Sequence, residues 1–389
     1  MADRSPIEWL RGPDGRQGAT WNPIVGCSVV SPGCTNCYAM RLAGTRMKSH
    51  PSRVGLTRDS KAGPVWTGEV RLMEPWLTQP LRWSKPRMIF VCAHADLFHE
   101  AVPDDWIDRV FAVMALAPQH TFQVLTKRPE RMRKYLTLPV QGAWAGRACQ
   151  ETDDGRLVDL TDARMRVHSA LCDLLPKTPA AQLNLASEIQ EQHGDGFMPR
   201  WPLPNVWLGV SVEDQRRADE RIPILLDTPA AVRWISAEPL LGPIDPTRIC
   251  IVPKVAGSPR AGIHIDALRG RYVESRMPYI GSWDADGPYP AGALPRRLDW
   301  VVAGGESGPG ARPANPQWFR DLRDQCAAAG VPYLHKQNGE WVSVSEVAGD
   351  GPHHRFADGR TVRRIGKKAA GRLLDGVIHD GYPEARPHG

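Results

Sequence analysis

The chain has 389 residues, 42% of them hydrophobic and 24% charged, with a formal net charge of +6. These values fit a globular protein with a sizeable core and exclude wholesale disorder. No apolar run approaches the roughly 20 residues of a membrane span, which excludes a membrane partner of that kind. The stretch from Met1 to Gly15 lacks the apolar segment of a signal peptide, so a cytoplasmic location with reduced thiols is expected.

Short β-rich runs recur along the chain, each followed by polar residues and then by a segment of helical period. Five are clear: Arg87 to His94, Thr121 to Arg128, Val206 to Glu213, Val232 to Leu240, and Leu298 to Ser307. A run from Trp21 to Gly26 opens the series and one from Val331 to Lys336 closes it. Between them, Pro103, Asp104 and Asp105 open a helix whose apolar positions are Ile107, Val110, Phe111 and Met114. Asn315 and Pro316 are an N-cap and first-turn pair for another, which Gly330 ends, with Cys326 as a packed thiol.

This repetition predicts an α/β fold, a parallel (βα) barrel, TIM-like or partial, over residues 1–338. Two stretches break the rhythm and read as insertions, at about 140–205 and 252–297. Residues 339–389 read as a small C-terminal appendage whose unpatterned Pro/Gly end frays.

Eight cysteines in a chain without a secretion signal read as metal ligands or incidental thiols rather than as a disulfide framework. Cys27, Cys34 and Cys37 fall within eleven positions, and thiolates suit zinc, Cu(I) or iron–sulfur centres. Gly26 and Gly33 leave room for backbone to approach an inorganic core. A [4Fe–4S] cluster held by three cysteines keeps one iron open for a small molecule such as S-adenosylmethionine (SAM). Zinc would need a fourth ligand, for which Cys92, His94, His99 and Cys149 are available. The expected position of the loop, after the first strand of a parallel barrel, favours the cluster, because that end of the sheet faces the substrate.

Trp21-Asn22-Pro23, the three cysteines with Tyr38, and Asp96-Leu97-Phe98-His99 resemble a phage-associated family of unknown function named after two mycobacteriophage gene products. Leu125 to Pro129, Gly209 to Ser211, Ser236 to Leu240 and Gly304 to Ser307 carry the same likeness. That family is in turn similar to radical SAM enzymes, whose partial or full βα barrel bears a three-cysteine loop after its first strand. Those enzymes usually show Cys-x3-Cys-x2-Cys with an aromatic before the last cysteine. Here the first gap is six residues, Asn36 precedes Cys37, and Tyr38 follows it.

The resemblance implies a radical SAM enzyme that takes electrons from an external donor and abstracts hydrogen from a substrate, with a nucleotide or nucleic acid among the possible substrates. It also implies a Gly-Gly-Glu run that holds the SAM ammonium, a role Gly304, Gly305 and Glu306 could fill; a tight turn is the plain alternative. Strand ends supply further polar groups: His94, Asp96, His99, Lys127, Arg128, Glu213, Glu238, His335 and Lys336. Of these Glu238, with Ser211 and Ser236, is a candidate contact to SAM. The competing expectations are a zinc-stapled, non-enzymatic or nucleic-acid-associated barrel, and a metal-dependent hydrolase using His94 and Asp96.

Overall fold

The computed structural model describes residues 4–384, apart from 13, 16–17, 140–148, 152–156, 160–161, 181–182, 184–198, 253–261 and 274–295. Seven parallel strands form its centre: β1 (Gly18–Trp21), β2 (Met88–Val91), β3 (Thr121–Thr126), β4 (Val206–Ser211), β5 (Val232–Ala237), β6 (Trp300–Gly304) and β7 (Tyr333–Gln337). They neighbour one another in chain order, and every pairing is parallel. Helices flank this curled sheet, a half-barrel consistent with a partial TIM-like architecture.

The predicted runs survive as shorter strands, because polar groups at their ends turn away into rim contacts. The first strand lies earlier than expected. Asn22-Pro23 ends it at Trp21, and Ile24–Val25 pairs antiparallel with Arg71–Leu72 instead of extending the sheet. Proline lacks the N–H that a continuing ladder needs.

Strand alternation separates two faces. The outward face, with Ala19, Trp21, Ile89, Val91, Phe122, Val124, Leu208, Val210, Ile235, Val301 and Ala303, packs under the helices. α1 (Tyr38–Gly44) packs instead in a separate cluster with Val25, Leu56 and Trp66, and the covering helices include α2 (Asp104–Ala115), α3 (Pro129–Thr137), α4 (Asp162–Leu174), α5 (Gln215–Asp227) and α6 (Pro316–Ala329). Ile107, Val110, Phe111 and Met114 of α2 are buried there as the periodicity required. In α6 the Asn315 side chain accepts from Gln317 N, Gly330 takes a left-handed φ of 65°, and Cys326 is fully buried.

The inward face is filled at its N-terminal end by aromatics. Trp9, Trp234, Trp300 and Tyr382 stack in series, with ring centroids 5.2, 5.4 and 5.4 Å apart. Gly209 is required beside them, since a Cβ there would lie 2.5 Å from the Trp234 ring. The C-terminal half of this face carries small and polar residues.

Between β5 and β6 the βα rhythm fails. Among the described residues, an antiparallel sheet of Ile249–Val252, Ile263–Asp266 and Arg271–Val273 takes the place of a helix. The second insertion is thus partly built structure; the rest of it lies outside the described residues, as does much of the first. The appendage is a three-stranded antiparallel sheet of Trp341–Ser343, Thr361–Arg364 and His353–Arg355. Its tail does not fray before residue 384. Gly381 N donates to Tyr333 O at 2.9 Å, Trp300 Nε1 donates to Gly381 O at 2.7 Å, and Tyr382 OH donates to Glu8 O at 3.0 Å. The tail therefore covers the open edge of β7, a contact made mainly by backbone and so invisible in side-chain patterning. No helix among the described residues is long and apolar enough to cross a membrane.

Candidate metal centre

The cysteine loop leaves β1 at the C-terminal rim and is built of consecutive turns. Pro32–Cys34 is a 3-10 turn, Cys34 N donates to Ser31 O at 2.9 Å, and Cys37 is the residue before α1. Cys34 is buried and the other two are half-buried. Burial pushes the Cys27 thiol up to about 12, with Asp96 adding to the effect and Arg128 opposing it. Burial raises Cys37 as well, against the amides of Met40 and Ala39, and Cys34 close by adds to the rise. Cys37 likewise adds to the rise at Cys27, so the thiols share one electrostatic neighbourhood.

Two carboxylates clasp this loop onto the rim. Glu213, fully buried just beyond β4, accepts from Ser31 Oγ at 2.6 Å, Lys127 Nζ at 2.7 Å and Arg221 Nη1 at 3.0 Å. Lys127 and Arg221 hold its carboxyl below the usual range despite burial. Gly33 lies against it so closely that a Cβ would sit 2.3 Å from Glu213 Oε1. On the other side Glu306 accepts from Asn36 Nδ2 at 2.9 Å and from Arg312 N and Nε at 2.8 Å each. Arg312 Nη2 reaches on to Pro32 O at 3.0 Å, and Arg41 Nη1 to Pro309 O at 3.1 Å. The glycines before the cysteines thus make room for the protein itself: Gly33 for Glu213, and Gly26, at φ 95°, for the carbonyl of Glu69.

A third contact meets Cys27. Arg128 Nη1 points at its sulfur from 3.8 Å, while Nη2 donates to Ser28 Oγ at 2.7 Å. Asp96 anchors the guanidinium at 3.0 Å and is itself saturated, accepting from Phe98 N, Thr126 Oγ1 and Lys127 N. His99 Nδ1 accepts from Ala101 N, so its Nε2 carries the proton and donates to Ser28 Oγ at 2.9 Å. His94 Nδ1 faces Arg53 Nη2 at 2.6 Å, and burial, with Arg53, lowers its pKa to about 4.

The hydrolase pair His94 and Asp96 is therefore spoken for by separate partners. Among the described residues, no group of three or more His, Cys, Asp or Glu side chains is arranged to hold a metal ion. Cys27, Cys34 and Cys37 remain as three soft thiols along one clasped loop, the donor chemistry that both zinc and iron–sulfur centres use. The Cys149 side chain lies outside the described residues.

The candidate SAM contacts divide. Ser211 and Ser236 pair in register on β4 and β5. Ser211 Oγ accepts from Lys127 Nζ at 2.5 Å. Glu238 accepts from Lys336 Nζ at 2.7 and 2.8 Å and from Gln337 Nε2 at 3.1 Å, and Gly304 lies against its carboxyl group. Gly305 instead abuts the Asn338 backbone, and Glu306 turns toward the cysteine loop. His335, expected among the rim groups, packs edge-on against Phe319 of α6 at 4.8 Å. Ser28, Ser31, Asn36, Arg221 and Arg312 were not singled out from sequence. Asn36 did carry a signal, as the polar residue where the resembling enzymes place an aromatic.

No curated protein and no solved structure matches the chain. Residues 4–383 match the family described as protein of unknown function, DUF5131. That match spans nearly the whole chain, and the protein belongs to the DUF5131 family.

Proposed function

We propose that this protein is a radical SAM-type enzyme whose Cys27, Cys34 and Cys37 hold a [4Fe–4S] cluster. One observation carries the reading: three thiols on a single loop after β1, clasped by Glu213 and Glu306 onto the C-terminal rim of a parallel half-barrel. That rim is where βα folds assemble their reactive groups. When bound and reduced by an external donor, such a cluster supplies the electron that cleaves SAM.

The chain's own residues have separable tasks. Ser211, Ser236 and Gly304 give a small, polar inner wall on which a ligand can approach the backbone. Glu238, on that wall, takes the SAM ammonium in exchange for Lys336, while Glu306 holds the loop. The Trp9, Trp234 and Trp300 stack closes the opposite end, so water is excluded from below and entry is by the rim.

Anaerobic reconstitution with iron and sulfide, followed by metal analysis and EPR of the reduced protein with and without SAM, tests this. About four irons per chain and a SAM-perturbed signal are expected. Tightly bound zinc without iron uptake would overturn it in favour of a structural site.

A further inference from the structure

We infer that Arg128 is a positioning residue that sets the reduction potential of the centre bound at Cys27, an inference that rests on the proposed function. Arg128 is 5% exposed, and its donors are spent on two targets. Nε bonds both oxygens of Glu100, at 3.0 and 2.9 Å, and Nη1 bonds Asp96, so the carboxylates after β2 fix the plane of the guanidinium. The remaining directions point into the cysteine loop: Nη1 at Cys27 Sγ, Nη2 at Ser28 Oγ and, at 3.5 Å, at Ser28 O. His99 grips the same Ser28 hydroxyl from the other side.

The backbone is equally set. Arg128 N donates to Thr126 Oγ1 at 2.9 Å, and Thr126 Oγ1 donates to Asp96, so the turn after β3 and the carboxylate that aims the guanidinium form one unit. A salt bridge serving stability alone would have no need to reach the residue after a ligand and the ligand's own sulfur. Guanidinium stays charged in any surroundings. A fixed N–H and positive charge beside a ligating sulfur stabilise the more negative, reduced state of the centre, which raises its potential. Cys34, by contrast, has Ser31 Oγ at 3.9 Å, a hydroxyl whose proton is spent on Glu213. The arrangement marks out Cys27 among the three.

The test uses full-length protein reconstituted anaerobically, as wild type, Arg128→Gln and Arg128→Lys, with potentials read from an EPR-monitored redox titration. Arg128→Gln should titrate at lower potential than wild type, and Arg128→Lys, which keeps the charge, should shift less. In the iron-free chain, hydrogen exchange at residues 27–29 should quicken in Arg128→Gln while residues 34–37 keep their protection. If Arg128→Gln does not fold, Ser28→Ala, which leaves the buried Arg128–Asp96 pair in place, tests the positioning by exchange alone: quickened exchange at residues 27–29 with protection kept at 34–37 is expected, and unchanged exchange would defeat it. Iron uptake with an unshifted potential in the variants would defeat the role of Arg128 alone. A wild-type protein that takes up no iron would defeat the proposed function and this role with it.

Discussion

The Ser31 hydroxyl donates to Glu213 Oε1 at 2.6 Å, joining the cysteine loop to the end of the central strand β4 across 182 residues of sequence. Glu213 is fully buried and also neutralises Lys127 and Arg221. Glu213→Gln should therefore cost about 3–5 kcal/mol, since it leaves buried cations uncompensated. Ser31→Ala, which leaves both ion pairs in place, should cost about 1 kcal/mol. Urea denaturation of the two variants measures the contrast, and equal stabilities would refute the clasp.

Gly33→Ala places a methyl group 2.3 Å from Glu213 Oε1, an atom held by two donors, Ser31 Oγ and Lys127 Nζ, and unable to yield easily. The expected loss is roughly 1–3 kcal/mol, as for other overpacked sites. Iron retained after reconstitution should fall in parallel. A variant with wild-type melting and iron content would show that the loop does not rest on this carboxylate.

Cys34→Ala and Cys326→Ala should have opposite signatures. Cys34 belongs to the clasped loop, so its loss should abolish iron binding with little change in melting temperature. Cys326 is fully buried in the α6 interface, with its thiol pushed up to about 12 by burial, so its loss should lower stability and leave iron binding intact. Metal analysis and thermal melts on the pair decide this.

Acid should destabilise the fold through two buried neutral histidines distant from the cysteines. His120 donates to Pro80 O, and His335 accepts from Tyr333 OH and donates to Asn338. Burial lowers each from 6.5 to about 4. Their neutral forms contribute fully above pH 6.5, and the contribution is lost as pH falls toward 4 because the unfolded chain binds the protons first. Each accounts for roughly 3 kcal/mol over that window. Urea midpoints from pH 7 to pH 4 check this, and His120→Gln should flatten the slope.

Removing residues 377–389 should lower the melting temperature. Truncation exposes the edge of β7, leaves Trp300 Nε1 without its acceptor at Gly381, and takes away the Tyr382 ring stacked on Trp300. The unmet indole N–H by itself costs about 1–3 kcal/mol. Unchanged melting would mean that the tail is a passenger.

Strand periodicity, the Asn315 and Gly330 helix boundaries, and the spacing of Cys27, Cys34 and Cys37 were legible in the sequence, because each is written within a few neighbouring residues. Period 2 assigns Ser211, Ser236, Glu238 and Gly304 to the inward side of their strands, so the polar half of the site was readable too. The choice of partner was not. Asn36 and Glu306 are 270 residues apart, and only the curl of seven parallel strands brings the last rim loops over the first. That closure decided that Glu306 clasps the loop while Glu238 faces the interior, that Arg128 aims at Cys27, and that the tail seals β7. A local pattern sets the face a side chain occupies; the element that face meets follows from how the sheet bends, which is a property of the whole packed chain.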